Sequence, residues 1–246
     1  MSRFGDEFGG PAKQRSVWLI PLAVFVVTAV LSALVLAYYF APTPPELVTE
    51  HPSPTDESRR VALGVGSLGF RIPGNYILFA SARKGGKRTN VELVALLPDL
   101  RGYSASDSQA LASNAADSEV LYLGLREERF NVSEKERLER IYLVQVVSRE
   151  GVPGPHGLKQ YTFKPQTGYR DDDLLVGETD AGPAALRCTR KSKIAPSPNC
   201  LREILLAPNV TLTYRFKRAH LAEWKEIDAG VRKLIASFTR KPQRAR

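Results

Sequence analysis

Cysteine and histidine are scarce in this 246-residue chain, which has two of the first and three of the second. His51, His156 and His220 form no H-x-x-x-H or similar pair. Cys188 and Cys200 are too few and too far apart to make a tetrahedral zinc site without further ligands. A G-x-S-x-G elbow is also missing, so a Ser-His-Asp triad has no local signature, although such triads assemble in space. These shortages predict no metal and no cofactor, and they leave catalysis without a signature of its own.

Acidic residues are outnumbered: 26 against 35 Lys and Arg give a formal charge of +9, most of it beyond the first sixteen residues. A basic balance suits anionic neighbours such as phospholipid, polyanionic glycan or nucleic acid, and says nothing about fold. Charge is absent altogether from Val17 to Ala41, a run of 25 residues where roughly 20 suffice to cross the hydrocarbon core as a helix. Trp18 at one end and Tyr38 and Tyr39 at the other match interfacial aromatic belts, and Pro21 falls in the first turn, where its missing N–H is tolerated. Lys13 and Arg15 precede the run, while no Lys or Arg follows it until Arg59. The positive-inside rule therefore predicts a cytoplasmic N-terminus and an exported remainder. The run is longer than a secretory h-region and is followed by bulky aromatics, which favours an uncleaved signal-anchor over a cleaved signal peptide.

The expected organisation is a cytoplasmic tail over 1–16, a transmembrane signal-anchor over 17–41, a Pro-rich linker over 42–60, one periplasmic domain over 61–239 and a basic tail over 240–246. The linker has five prolines and few apolar residues, which predicts an extended spacer. In an oxidising compartment Cys188 and Cys200 would pair across "TRKSKIAPSPN", a basic loop joining two strands.

Within the domain, short apolar runs separated by Gly, Pro and Asp predict strands and turns. "VTLTYRFK" alternates, placing Val210, Leu212, Tyr214 and Phe216 on one face, and "CLREILLAP" before it reads as its hairpin partner through Pro208 and Asn209. "VELVALLP" (91–98) and "LERIYLVQVVS" (138–148) read as further strands, and a short helix is expected over 106–116. Leu221, Trp224, Ile227, Val231, Leu234, Ile235 and Phe238 then recur at helical spacing. The pattern predicts an α+β fold in which an antiparallel sheet carries one long C-terminal helix.

Several motifs do not survive their context. "GVGSLG" (64–69) matches G-x-G-x-x-G, but it runs into "FRIPGNY", whose Pro73 and Gly74 forbid the helix a dinucleotide site requires. It reads as a glycine-rich first strand or bulge. Asp171, Asp172 and Asp173 lack the alternate spacing of a calcium loop and read as a solvated acidic turn. Asn131-Val132-Ser133 and Asn209-Val210-Thr211 are formal glycosylation sequons, and Asn209 reads as a turn residue. Basic groups cluster at "RKGGKRT" without a nucleic-acid module, so no nucleic acid is expected, and Gly85 and Gly86 predict an exposed hairpin turn there.

"GFRIPGNYILFASARKGGKRTNVELVALLPDLRGYS" (69–104) resembles a group of uncharacterised proteobacterial single-pass inner-membrane proteins, in which I-P-x-N-Y-I precedes a Gly-Gly turn and a V-x-L…P-x-L-x-G-Y segment. The closing "LAEWKEIDAGVRKLIASF" is similar too. The resemblance implies an inner-membrane anchor and a periplasmic domain, and it implies no catalytic residue. Strands followed by a terminal helix are also similar, at the level of fold, to PsbP-like and Mog1-like sandwiches.

The sequence thus predicts a bitopic inner-membrane protein whose periplasmic domain is a non-catalytic binding or assembly module of the cell envelope. Its expected partner is an envelope protein or an anionic envelope polymer. The expected contact surface is Arg71, Asn75 and Tyr76 with Arg83, Lys84, Lys87 and Arg88, where basic groups, an aromatic and flexible glycines come together. Two alternatives stay open. One is an envelope hydrolase acting on glycan or peptide through carboxylates gathered by folding, and the other is a secretion or division component held mainly by its transmembrane helix.

Overall fold

The computed structural model describes residues 18–40 and 50–239, which fall into two units dividing between Glu50 and His51. The tail over 1–16, the ends of the expected span, the linker up to residue 49 and the basic tail over 240–246 lie outside the described residues.

The first unit contains helix α1, Leu19–Phe40. With 22 residues it is roughly 33 Å long, against a hydrocarbon core of roughly 30 Å. Its apolar side chains from Leu19 to Leu36 are exposed, unlike those of a helix in a protein core, and it is long and apolar enough to cross a membrane. The hydroxyl of Thr28 donates to the Val24 carbonyl at 2.9 Å, so that polar group is satisfied within the helix.

The second unit is an α+β domain built on two sheets. Strands β1 (Arg60–Val65) and β2 (Leu68–Pro73) form a hairpin, and β3 (Gly86–Arg88) pairs with β1 in parallel. The remaining strands are β4 (Asn90–Leu96), β5 (Val120–Glu127), β6 (Val152–Pro153), β7 (Lys159–Thr162), β8 (Asp172–Thr179), β9 (Gly182–Thr189), β10 (Asn199–Ala207) and β11 (Val210–Lys217). They make one eight-stranded antiparallel sheet in the order β4-β5-β11-β10-β9-β8-β7-β6. Short helix α2 (Ala80–Arg83) lies between β2 and β3, α3 (Ser108–Ala112) and α4 (Glu134–Glu136) lie in connections of the large sheet, and α5 (Trp224–Phe238) closes the domain after a 3-10 turn at Arg218–Glu223.

Period-two alternation decides which face α5 covers. Leu212 and Tyr214 of β11, Leu123 and Leu125 of β5, and Val91 and Leu93 of β4 point to one side and are fully or almost fully buried. Leu221, Trp224, Ile227, Val231, Ile235 and Phe238 meet them at the expected helical spacing. The terminal hairpin turns at Asn209, whose φ of 64° is a left-handed conformation that Asn tolerates. The "GVGSLG" motif is the β1–β2 hairpin, not a phosphate loop. Gly66 has a φ of 53°, and a Cβ there would lie 2.8 Å from the Val210 methyl, so both conformation and close approach demand glycine.

Four local expectations are corrected. Residues 138–148 do not form a strand: the chain is helical from α4 through a π-helical turn at Arg137–Tyr142. Ser133 and Glu136 start it as a capping box, and Leu138, Tyr142 and Val146, four apart, pack with Phe163, Leu174 and Ala185 in a second core. Asp172 and Asp173 are not a solvated turn but open β8, where Asp173 is buried between Arg190 and Arg218. "RKGGKRT" is not a hairpin turn: it is the end of α2 followed by β3, with Gly85 (φ 77°) pressed against the Ala62 carbonyl. Lastly, the chain already belongs to the domain from His51, where the sequence predicts spacer up to residue 60. Ser53 N–H donates to Leu78 O at 2.9 Å, and Gly74 N–H donates to Arg59 O at 2.9 Å.

The short helical segment near 106–116 begins at Ser104, whose hydroxyl and N–H both donate to Asp107. Arg101 grips the same carboxylate through two hydrogen bonds, at 2.5 and 2.8 Å. Arg101 first, then Ser104, hold the Asp107 carboxyl well below the ordinary carboxylate range. Because the folded value is depressed, this contribution is present above the unfolded value of about 4 and is lost as pH falls toward the folded one. Asp107→Asn is expected to lower the urea midpoint at neutral pH, with the gap to the parent closing below about pH 4. An equal gap at pH 7 and pH 3 would contradict this.

A candidate partner-binding face

The second face of the large sheet is only partly covered. One flank is closed by Leu78, Phe79, Tyr103 and Leu111 over Val94 and Val120, and the other by Leu138, Tyr142 and Val146 over β7, β8 and β9. Between them the strands β4, β5, β11 and β10 floor a trough of about 560 Å³. Cross-strand register arranges that floor in rows: Glu92, Gly124, Thr213 and Glu203 form one, and Val94, Tyr122, Arg215 and Leu201 the next. Arg215 lies over the Tyr122 ring at 4.7 Å, and at Gly124 a Cβ would crowd the Glu92 carboxylate at 3.2 Å. The missing side chain at Gly124 opens the middle of the floor.

A second hollow of about 260 Å³ shares Tyr122 and Arg215 with the trough and extends it to Asn114, Asn199 and Lys217. The Lys217 ammonium donates to Asn114 Oδ1 at 2.6 Å and to Ser197 O at 3.2 Å. Burial first, then the charge of Arg215, lower its pKa.

The carboxylates here are badly placed for hydrolysis. Glu92 and Glu203 stand in the same row three strand spacings apart, roughly 14 Å at the backbone. Paired glycosidase acids are roughly 5 to 10 Å apart. Glu203 is bound to Arg137 at 2.6 Å, and Glu92 accepts from the Asn90 amide at 3.2 Å. Among the described residues no three His, Cys, Asp or Glu side chains converge in a metal-binding group. What the face offers is a wide floor of mixed charge, an aromatic under a guanidinium and apolar walls, which suits contact with another surface.

The face toward α5 carries a cluster that sequence reasoning missed. Arg202, completely buried on β10, donates to Glu134 Oε1 at 2.8 Å and Oε2 at 2.9 Å and lies 2.6 Å from Asp228 Oδ1. Asp228 also accepts from the Tyr214 hydroxyl at 2.9 Å and from Arg232, one turn along α5, at 3.0 Å. Burial would lower the Arg202 pKa, but the Glu134 hydrogen bond and the surrounding anionic groups raise it above the usual arginine value. Burial, then Asp228, push the Tyr214 hydroxyl up as well. The cluster ties β10, β11, α4 and α5 together. One sequence signal pointed to it: in "CLREILLAP" Arg202 shares the inward parity of Cys200 and Ile204, where a lone charge demands a buried partner.

The residues singled out from sequence divide into two groups. Arg83 donates to Ile77 O at 3.0 Å and to Ser53 Oγ at 3.3 Å, and Arg88 donates to Ser81 O at 2.7 Å. Tyr76 donates to Leu100 O at 3.0 Å and meets Phe238 edge-on, while Asn75 Nδ2 donates to Tyr103 O at 3.3 Å. These four hold the domain's own loops. Arg71, Lys84 and Lys87 are exposed, and they lie on β2, at the end of α2 and on β3, away from the strands that floor the trough. Cys188 and Cys200, cross-strand partners on β9 and β10, form a disulfide. The histidines stay dispersed, with His220 facing the carbonyls of Asp117 and Ser118 at 3.2 Å.

No protein-family model matches the chain, and a search of curated proteins returns no match. Among solved structures, an immunity protein of the Stenotrophomonas maltophilia type IV secretion system superposes with a TM-score of 0.53 at 16% identity, covering 75% of this chain and 94% of that one. At that identity the likeness is one of fold: this domain is similar in architecture to that immunity protein.

Proposed function

We propose that the chain is a membrane-anchored, extracytoplasmic and non-catalytic immunity module, whose domain binds and neutralises a toxin protein on the open face of its large sheet. The observation that carries this reading is the trough between the two flanking cores, with its mixed charge and without paired acids. The fold likeness to an immunity protein supports it. Helix α1 supplies the anchor, and the Cys188–Cys200 disulfide fits an oxidising compartment. Lys13 and Arg15 before the helix favour a cytoplasmic N-terminus at the inner membrane.

Growth competition tests the reading. Cells deleted for the chain are expected to be outcompeted on contact by their parent, and the full-length protein to restore survival. Arg215→Glu with Thr213→Arg, both at partly or fully exposed floor positions, should abolish rescue at unchanged protein level. Equal competition by the deletion strain would refute the immunity reading, and full rescue by the double variant would remove the trough from it.

A further inference from the structure

The loop between β9 and β10 has a feature that neither the trough nor the cores explain. Ile194 is 98% exposed, the most exposed of the large apolar side chains in the domain. It is held there: Ser192 N–H donates to Ala195 O at 3.1 Å, and Ala195 N–H donates back to Ser192 Oγ at 3.0 Å. Lys193 and Ile194 are thus the central residues of a tight turn, and the side chains of Lys191 and Lys193 beside them are exposed. The root is clamped as firmly. The disulfide closes it, Arg218 donates through its N–H to Pro198 O at 2.9 Å and through its guanidinium to Thr189 O at 3.0 Å, and Lys217 reaches Ser197 O. Pro196 and Pro198 limit what backbone freedom is left.

We propose that this loop is a preformed anchor that inserts Ile194 into an apolar pocket rimmed by carboxylates on an acidic protein partner. The inference rests on the immunity reading and deepens it by naming the chemistry of the partner's contact site. A rigid aliphatic tip loses little entropy on docking and gains by leaving water. The charge is one-sided: no Asp or Glu lies between Thr189 and Asn199, and the guanidinium of Arg190 is already turned inward to Asp173 and the Asp172 carbonyl. Lys191 and Lys193 are therefore the cations a partner meets, and the acids at the root, Asp172 and Asp173 opposite Thr189 and Cys188, are already paired with Arg187, Arg190 and Arg218. Asn199 at that root lines the hollow that continues the trough, so tip and trough belong to one contact surface. A bilayer is the weaker fit, because stable lipid binding takes more than one aliphatic side chain and two lysines.

The test uses the full chain in the same competition. Ile194→Asp is expected to cut survival of attacked cells by about tenfold or more, Ile194→Leu to keep it, and Lys191→Glu with Lys193→Glu to reduce it. Thermal unfolding of Ile194→Asp should match the parent, since the side chain packs against nothing. A photoreactive residue at 194 should give a protein adduct only when attacking cells are present. If the deletion strain is sensitive but Ile194→Asp protects fully, the anchor is overturned while the immunity reading stands. If protection is lost yet 194 labels lipid and no protein, the tip is a membrane contact and the proposal falls. If the deletion strain is not sensitive at all, the immunity reading fails first.

Discussion

Asp228→Ala is expected to destabilise the domain by about 3–5 kcal/mol, because it removes one carboxylate from a buried cluster whose charges otherwise cancel. Arg202 and Arg232 would then share Glu134 alone, and the Tyr214 hydroxyl, buried under α5, would lose the acceptor at 2.9 Å. Breaking a buried pair costs more than the pair contributed, since the orphaned guanidinium cannot regain its water. Arg232→Met should cost at most about 1 kcal/mol, because its side chain is 30% exposed and solvent screens its bond to Asp228. Urea unfolding followed by Trp224 fluorescence in a Trp18→Phe background measures both. Similar losses for the two variants would mean that the cluster is hydrated and that its burial is unimportant.

Replacing both cysteines by alanine is the second large effect, expected to cost about 3 kcal/mol, because the bridge closes a short loop in the unfolded chain. The loss has a functional side. Both sulfurs are buried beneath the clamp of Arg218 on Cys188 O and Thr189 O, so the root should loosen before the sheet does. Mass-tagging with PEG-maleimide checks the premise in membranes: the native protein should take up tags only after reduction. Two tags without reduction would place the thiols in a reducing compartment and remove this contribution, together with the inferred topology.

Much of the scaffold was legible because its signals are local. Alternation in 210–217 and helical spacing in 221–238 each fix one buried face, and the structure uses both as read. The 138–148 segment was misread because its apolar run suits either period, and only the Ser133–Glu136 capping box upstream arbitrates. Asp173 looked solvated because its partners are 17 and 45 residues away in the chain. The trough was harder still. Glu92, Gly124, Thr213 and Glu203 become neighbours only through strand order, which puts β11 and β10 next after β5 although α4 and β6 to β9 intervene in sequence. The basic residues chosen from sequence were conspicuous because they are clustered, whereas Arg83 and Arg88 turn out to bind backbone carbonyls of the adjoining chain.

The strap over 51–59 bears on how the domain carries load. Ser53 is fastened to Leu78, Arg59 to Gly74, and at the other end Thr239 bridges Phe70. Both ends of the folded unit are thus stitched to the single stretch 68–78. A pull entering the domain at His51 meets those few hydrogen bonds and the β1–β2 hairpin first. Pro52, Leu78 and Phe79 line one wall of the trough and Leu78 N–H donates to Glu92 O on β4, so tension on the strap reaches that wall directly, whereas the Ile194 loop is rooted on β9 and β10, outside those bonds.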